Sequence, residues 1–184
     1  MTSRSFRCQV RLNVANLDDE VYGERTISLA QQPDEDDEHI LLRFLMWVFF
    51  YDDRLEDGHG WTDRAAPDVI CRDFSDNVTF WGEAAAAPTK RITRALSRHK
   101  QARLVVLFVD EEEATEFRRN MRAARPREPH RIEILLVDKR FMRQLESVAG
   151  RSMKWAATIT EGTLYLDCDG HQLEGSLQPL EPTA

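Results

Sequence analysis

The sequence predicts an α/β protein: a mixed β-sheet flanked by helices, with antiparallel strands near both ends of the chain. Three observations predict it. Strand-like and helix-like apolar patterns alternate along the chain, the order expected when helices cover a sheet. Leu104–Val109 is a short continuous apolar run, which suits a strand covered on both faces. The last third carries two turns, Glu161-Gly162 and Asp169-Gly170, that suit a small antiparallel meander.

The elements follow in order. Residues 5–15 alternate Phe6, Cys8, Val10, Leu12 and Val14 with polar side chains, the period of a half-buried strand. A second strand near 22–30, with Tyr22, Ile27 and Leu29, pairs with it across the turn at Asn16–Glu20. The acids of Pro33–Glu38 start a helix, where negative charge suits the N-terminal dipole. That helix runs to Tyr51, is apolar on nearly every side and should be buried centrally. Its one charged interior residue, Arg43, then needs a partner, for which a carboxylate is the natural choice. A polar loop over 52–66 leads to strands at 67–73 and 77–83. Helix 88–99 starts at Pro88, turns Ile92, Ala95 and Leu96 inward and shows Arg91, Arg94 and Arg98 along another stripe. Strand 104–109, helix 111–124, strand 131–137 and helix 139–149 follow, and strands near 154–160, 163–167 and 173–177 complete the chain.

Asp68 and Glu83 stand out. If Ser75-Asp76 is a two-residue hairpin loop, residue 74 faces 77 and the register carries 68 opposite 83. Directly opposed residues hold their Cβ atoms about 4.5–5.5 Å apart. Two carboxylates at that distance repel unless a cation or a shared proton compensates. Mg²⁺ between them would suit phosphodiester hydrolysis, whereas the alternative is a solvated strand end. A change of one residue in loop length puts the two acids on opposite faces.

Length and composition bound the rest. A chain of 184 residues suits one domain spanning 1–184 with a real core. The longest apolar run, Phe44–Tyr51, falls well short of the roughly 18 residues of a membrane span, so no membrane partner is expected. The N-terminus lacks the apolar segment of a signal peptide. Cys8, Cys71 and Cys168 are odd in number and far apart, which points to a reducing cytoplasm and to three small buried side chains. The net charge of −7 hides a segregation: residues 1–87 carry 8 Lys/Arg against 18 Asp/Glu, and residues 88–154 carry 17 against 9. The basic third suits a phosphate-bearing partner such as nucleic acid, or solvated helix faces paired with the acidic parts.

Several stretches together resemble the YaeQ family. They are Val10-Arg-Leu-Asn-Val-Ala-Asn-Leu-Asp18, Leu29-Ala-x-x-Pro33, and Glu38-x-x-x-Leu-Arg-Phe-Leu-x-Trp47-x-x-x-Tyr51 followed by Arg54-Leu55. Trp81-Gly-Glu83 and Arg91-Ile92-x-x-Ala95 match as well, so the resemblance runs over essentially the whole chain. It implies a variant of the restriction-endonuclease-like PD-(D/E)XK nuclease fold. It further implies Glu38, Asp68 and Glu83 as ligands of Mg²⁺, with nucleic acid as substrate. The pattern then departs: the position of its lysine is Ala85. In this superfamily the lysine can migrate to the next helix, which makes Lys90, Arg91 and Arg94 the candidates. Only Lys90 could take a proton-transfer role, since arginine stays protonated; Arg91 and Arg94 would face phosphate. Two functions follow: a Mg²⁺-dependent phosphodiesterase, or a catalytically weakened scaffold that binds protein or nucleic acid. Trp81 on the Asp68 face reads as core more readily than as a base-stacking group, and His59, between Gly58 and Gly60, reads as a loop residue without a chemical task.

Overall fold

The computed structural model describes residues 6–60, 62–85 and 87–181, which form a mixed α/β fold. The described residues divide into two compact units, one built from residues 6–53 and 137–177 and the other from the described residues of 54–136 and 178–181.

In the first unit, β1 (Phe6–Asn16) pairs antiparallel with β2 (Val21–Gln31) and parallel with β8 (Ser152–Thr160). β8 continues antiparallel to β9 (Thr163–Cys168), and β9 to β10 (His171–Pro179). Cys8, Val10, Leu12 and Val14 are the buried side of β1, as its alternation predicts. Both meander turns put their two residues at positive φ, Glu161 and Gly162 at 51° and 72° and Asp169 and Gly170 at 51° and 91°. That is the backbone of a primed hairpin turn, which matches strand twist. α1 (Asp37–Phe49) starts at Asp36, whose carboxylate accepts from the His39 amide at 2.8 Å. Every residue from Ile40 to Val48 is buried, as the all-round apolar sequence requires. A Cβ on Gly23 would fall 2.2 Å from the Tyr51 ring, so only glycine lets β2 lie this close to the chain leaving α1. α4 (Lys139–Val148) buries Phe141, Met142 and Leu145.

The second unit has β3 (Leu55–Asp57), β4 (Val69–Arg72), β5 (Val78–Ala84), β6 (Arg103–Phe108) and β7 (Ile132–Val137), arranged in the order β7-β6-β5-β4-β3. β5, β6 and β7 run parallel, and β4 and β3 complete the series antiparallel. α2 (Thr89–Arg98) connects β5 to β6, and α3 (Glu111–Ala124) connects β6 to β7. Parallel neighbours need such crossovers. Ile92, Ala95 and Leu96 of α2 and Ala114, Phe117 and Met121 of α3 pack with Leu104, Val106 and Phe108 of β6 in one cluster. β3 lies within the stretch expected to be loop; three residues are too few for a period to show.

The three cysteines are free and buried. Among the described residues no helix is long and apolar enough to cross a membrane.

Candidate functional site

The β4–β5 hairpin places the two acids. Val69 pairs with Gly82, Ile70 with Trp81 and Cys71 with Phe80, the register the sequence predicts. The turn differs from the expectation. Arg72 pairs with Val78, and the Asp73 amide bonds the Asn77 carbonyl at 2.9 Å, leaving a three-residue loop, Phe74–Asp76, with Asp76 at φ 63°. The register shifts between Cys71 and Arg72, and this bulge cancels the extra loop residue. Burial of Ile70 and Trp81 on the cluster face fixes the register more strongly than the turn does.

Asp68, 2 % exposed, and Glu83, wholly buried, come together at the end of this hairpin. The Ala84 amide donates to Asp68 Oδ2 at 2.8 Å. Glu83 receives three bonds. Trp81 Nε1 donates to its Oε1 at 2.8 Å, Arg91 Nε donates to the same oxygen at 2.9 Å, and Arg91 Nη2 donates to Oε2. Arg91 Nη1 donates to the Gly60 carbonyl at 2.9 Å. The loop that offers this carbonyl must lie flat against Pro67-Asp68. A Cβ on Gly60 would be 2.8 Å from the Asp68 nitrogen, and His59 beside it takes φ 58°. Its imidazole is exposed and lies 3.2 Å from Asp57.

Electrostatically, the cluster sets two carboxylates against one guanidinium. Burial and then the neighbouring Asp68 push the Glu83 carboxyl up to about 8, against the pull of Arg91 and Trp81. Among the described residues, no group of three or more His, Cys, Asp or Glu side chains is arranged to hold a metal ion.

The other predicted residues are on the helices. Glu38 is in the first turn of α1, in the first unit. Lys90 and Arg94 are exposed on α2. Arg91 departs from the predicted stripe: it is 9 % exposed and turned inward with Ala95, one helical turn on, while Lys90, Arg94 and Arg98 form the exposed ridge. Ala85, two residues after Glu83, stands at φ 50° with its amide bonded to the Leu107 carbonyl at 2.7 Å. Trp81 is core, stacked on His99 at 5.4 Å between ring centroids.

The first unit holds a second buried ion cluster, in which the carboxylate expected for Arg43 is present and the identity of that acid and the part of His39 were not foreseen. Arg43 finds its carboxylate in Glu35, with Nη1 at 2.9 and 3.2 Å from the two oxygens, and His39 Nδ1 lies 2.6 Å from Glu35 Oε1. The signal was available, since residues 35, 39 and 43 are spaced by four. The cluster borders a cavity of about 400 Å³ lined by Cys8, Gln31, Asp37, Phe44 and Arg151 among others.

A mixed α/β protein with a buried glutamate locked to an arginine is thus the class that fold and site define. The YaeQ family model matches residues 1–177, and the chain belongs to that family. It is 26 % identical over 166 residues to the uncharacterized protein YaeQ of Escherichia coli (strain K12), covering 90 % of each chain. To its counterpart in Salmonella typhi it is 27 % identical over 163 residues, covering 89 % of this chain and 88 % of the other. Among solved structures, the YaeQ protein of Pseudomonas syringae superposes with a TM-score of 0.81 at 25 % identity, covering 97 % of both chains. The YaeQ protein of Xanthomonas axonopodis pv. citri shares the fold with a TM-score of 0.82 at 22 % identity, covering 96 % of this chain and 98 % of that one.

Proposed function

We propose that this chain is a catalytically weakened variant of the restriction-endonuclease-like plan that binds nucleic acid without cutting it. The hairpin β4–β5 followed by α2 and the parallel strand β6 supports that plan. The observation that carries the reading is the fork of Arg91 on Glu83. A metal ion needs carboxylate oxygens turned toward an opening. Here Glu83 is wholly buried and both its oxygens accept from Arg91, while Asp68 accepts from the Ala84 amide. Magnesium does not fit this donor set: the guanidinium already supplies the positive charge that the acids require. Arginine cannot take a proton from water, so Arg91 replaces the ion's charge without replacing its chemistry. What remains for a phosphate backbone is the exposed ridge of Lys90, Arg94 and Arg98, none of which makes an ion pair among the described residues.

A second reading, a Mg²⁺-dependent phosphodiesterase at Asp68 and Glu83, is favoured by one observation. Asp68 lies close enough to Glu83 for its charge to push the Glu83 carboxyl up, the repulsion that a divalent cation between two acids would relieve.

One experiment separates them. Fluorescently labelled DNA and RNA are mixed with the protein in EDTA and in Mg²⁺ or Mn²⁺, and both anisotropy and strand integrity are read. Binding that persists in EDTA, leaves the strands intact in metal and weakens in the Lys90→Ala/Arg94→Ala/Arg98→Ala protein is the expected result. Each lost phosphate contact should lower the salt slope by about 0.7–0.9. Cleavage in Mn²⁺ that disappears in Asp68→Asn establishes the second reading, and failure to bind either nucleic acid removes the first.

A further inference from the structure

Phe74 is 98 % exposed, the most exposed of the large apolar side chains among the described residues. It stands at the tip of the β4–β5 hairpin, which is tightly bonded. Asp73 accepts from the Ser75 and Asn77 amides at 2.8 and 2.9 Å and from the Asn77 side chain at 3.1 Å. An aromatic ring held in water on such a loop has already lost its backbone freedom, which lowers the entropic cost of docking it.

A cation lies over the ring, and others lie along the hairpin and the helix that follows it. The Arg54 guanidinium carbon lies 5.3 Å from the Phe74 centroid. Arg72, its side chain 43 % exposed, lies 3.5 Å from Asp76 and offsets that acid. Asp73, the other acid of the tip, is occupied by the bonds that close the loop. Arg72 and Arg98 both bear on His99, the ring stacked on Trp81. His99, which ends α2 and stacks on Trp81 of β5, is flanked by the exposed Arg98 and Lys100. An exposed aromatic platform beside a run of cations is the arrangement that holds single strands: the ring takes a base and the cations take the phosphates. Duplex DNA keeps its bases stacked and offers such a ring nothing.

Building on the nucleic-acid reading above, we infer that Phe74 stacks on an unpaired base while Arg54, Arg72, Arg98 and Lys100 hold the neighbouring phosphates, so that the bound nucleic acid is single-stranded.

The test is fluorescence anisotropy of a labelled oligothymidylate strand and of a blunt duplex of equal length, with wild type, Phe74→Ala and Phe74→Trp. Phe74 packs against no core, so its replacement leaves the fold intact. Wild type should favour the single strand. Phe74→Ala should weaken that binding about fivefold to a hundredfold while leaving the duplex unchanged, and Phe74→Trp should retain it. Unchanged single-strand affinity in Phe74→Ala, or a wild-type preference for duplex, overturns the inference and leaves the tip to an apolar pocket on a protein partner. In that case the nucleic-acid reading survives. Binding to neither probe overturns both.

Discussion

Arg43 with Glu35 and Arg91 with Glu83 are two versions of one buried pair, and the two glutamates titrate in opposite directions. Burial is the largest influence on both and pushes each carboxyl up. At Glu35 the bonds from His39, Arg43 and the Gln32 amide outweigh it and hold the carboxyl low. At Glu83 the next influence is Asp68, whose charge adds to burial, and the carboxyl rises to about 8. The surroundings therefore decide the sign: one pair is completed by a histidine and an amide, the other is overloaded by a second carboxylate.

Breaking the overloaded pair should have the largest effect. Arg91→Met leaves the buried Glu83 carboxyl without its cation and beside Asp68, and should cost about 3–5 kcal/mol, read from urea denaturation. Adding Asp68→Asn should recover part of that loss; no recovery would mean that repulsion between the acids is negligible. Arg43→Met should cost less, about 2 kcal/mol, because Glu35 keeps His39 and the Gln32 amide.

The pH profile sharpens the contrast. A carboxyl raised on folding stabilises fully below its unfolded value of 4.5 and loses that contribution as pH rises toward about 8. Glu35, lowered on folding, contributes above 4.5 and loses its contribution as pH falls through the folded value. Urea midpoints of wild type should therefore decline between these limits through Glu83, and Asp68→Asn should flatten the decline. An unchanged slope would assign it to other groups.

The smallest effect concerns Ala85, held at φ 50° next to the cluster. Ala85→Gly removes the strain of a Cβ in left-handed backbone and should add up to about 1 kcal/mol, seen as a higher melting temperature.

These contrasts also mark how far the sequence was legible. The order of elements followed from periodicity, and α1 was identifiable because an all-round apolar helix has few places to go. The register of Val69–Cys71 against Phe80–Gly82 was read correctly through a wrong loop, because the bulge at Cys71–Arg72 absorbed the difference. The inward turn of Arg91 was hidden. Its exposed neighbours Lys90 and Arg94 differ from it by one and three positions, and an arginine at such a spacing reads as surface unless a buried acid is known to face it. Glu35 was similarly lost in a run of acids that reads as a helix start.

The parallel pairing of β1 with β8 brings Val10 beside Met153. During translation, β1 must therefore wait for β8 on the order of ten seconds at ordinary elongation rates. Over that interval most of the second unit leaves the ribosome as one continuous segment, while one edge of β1 stays unpaired. A chaperone that shields nascent strand edges, or a slower codon run after residue 136, should therefore affect the yield of the first unit more than that of the second.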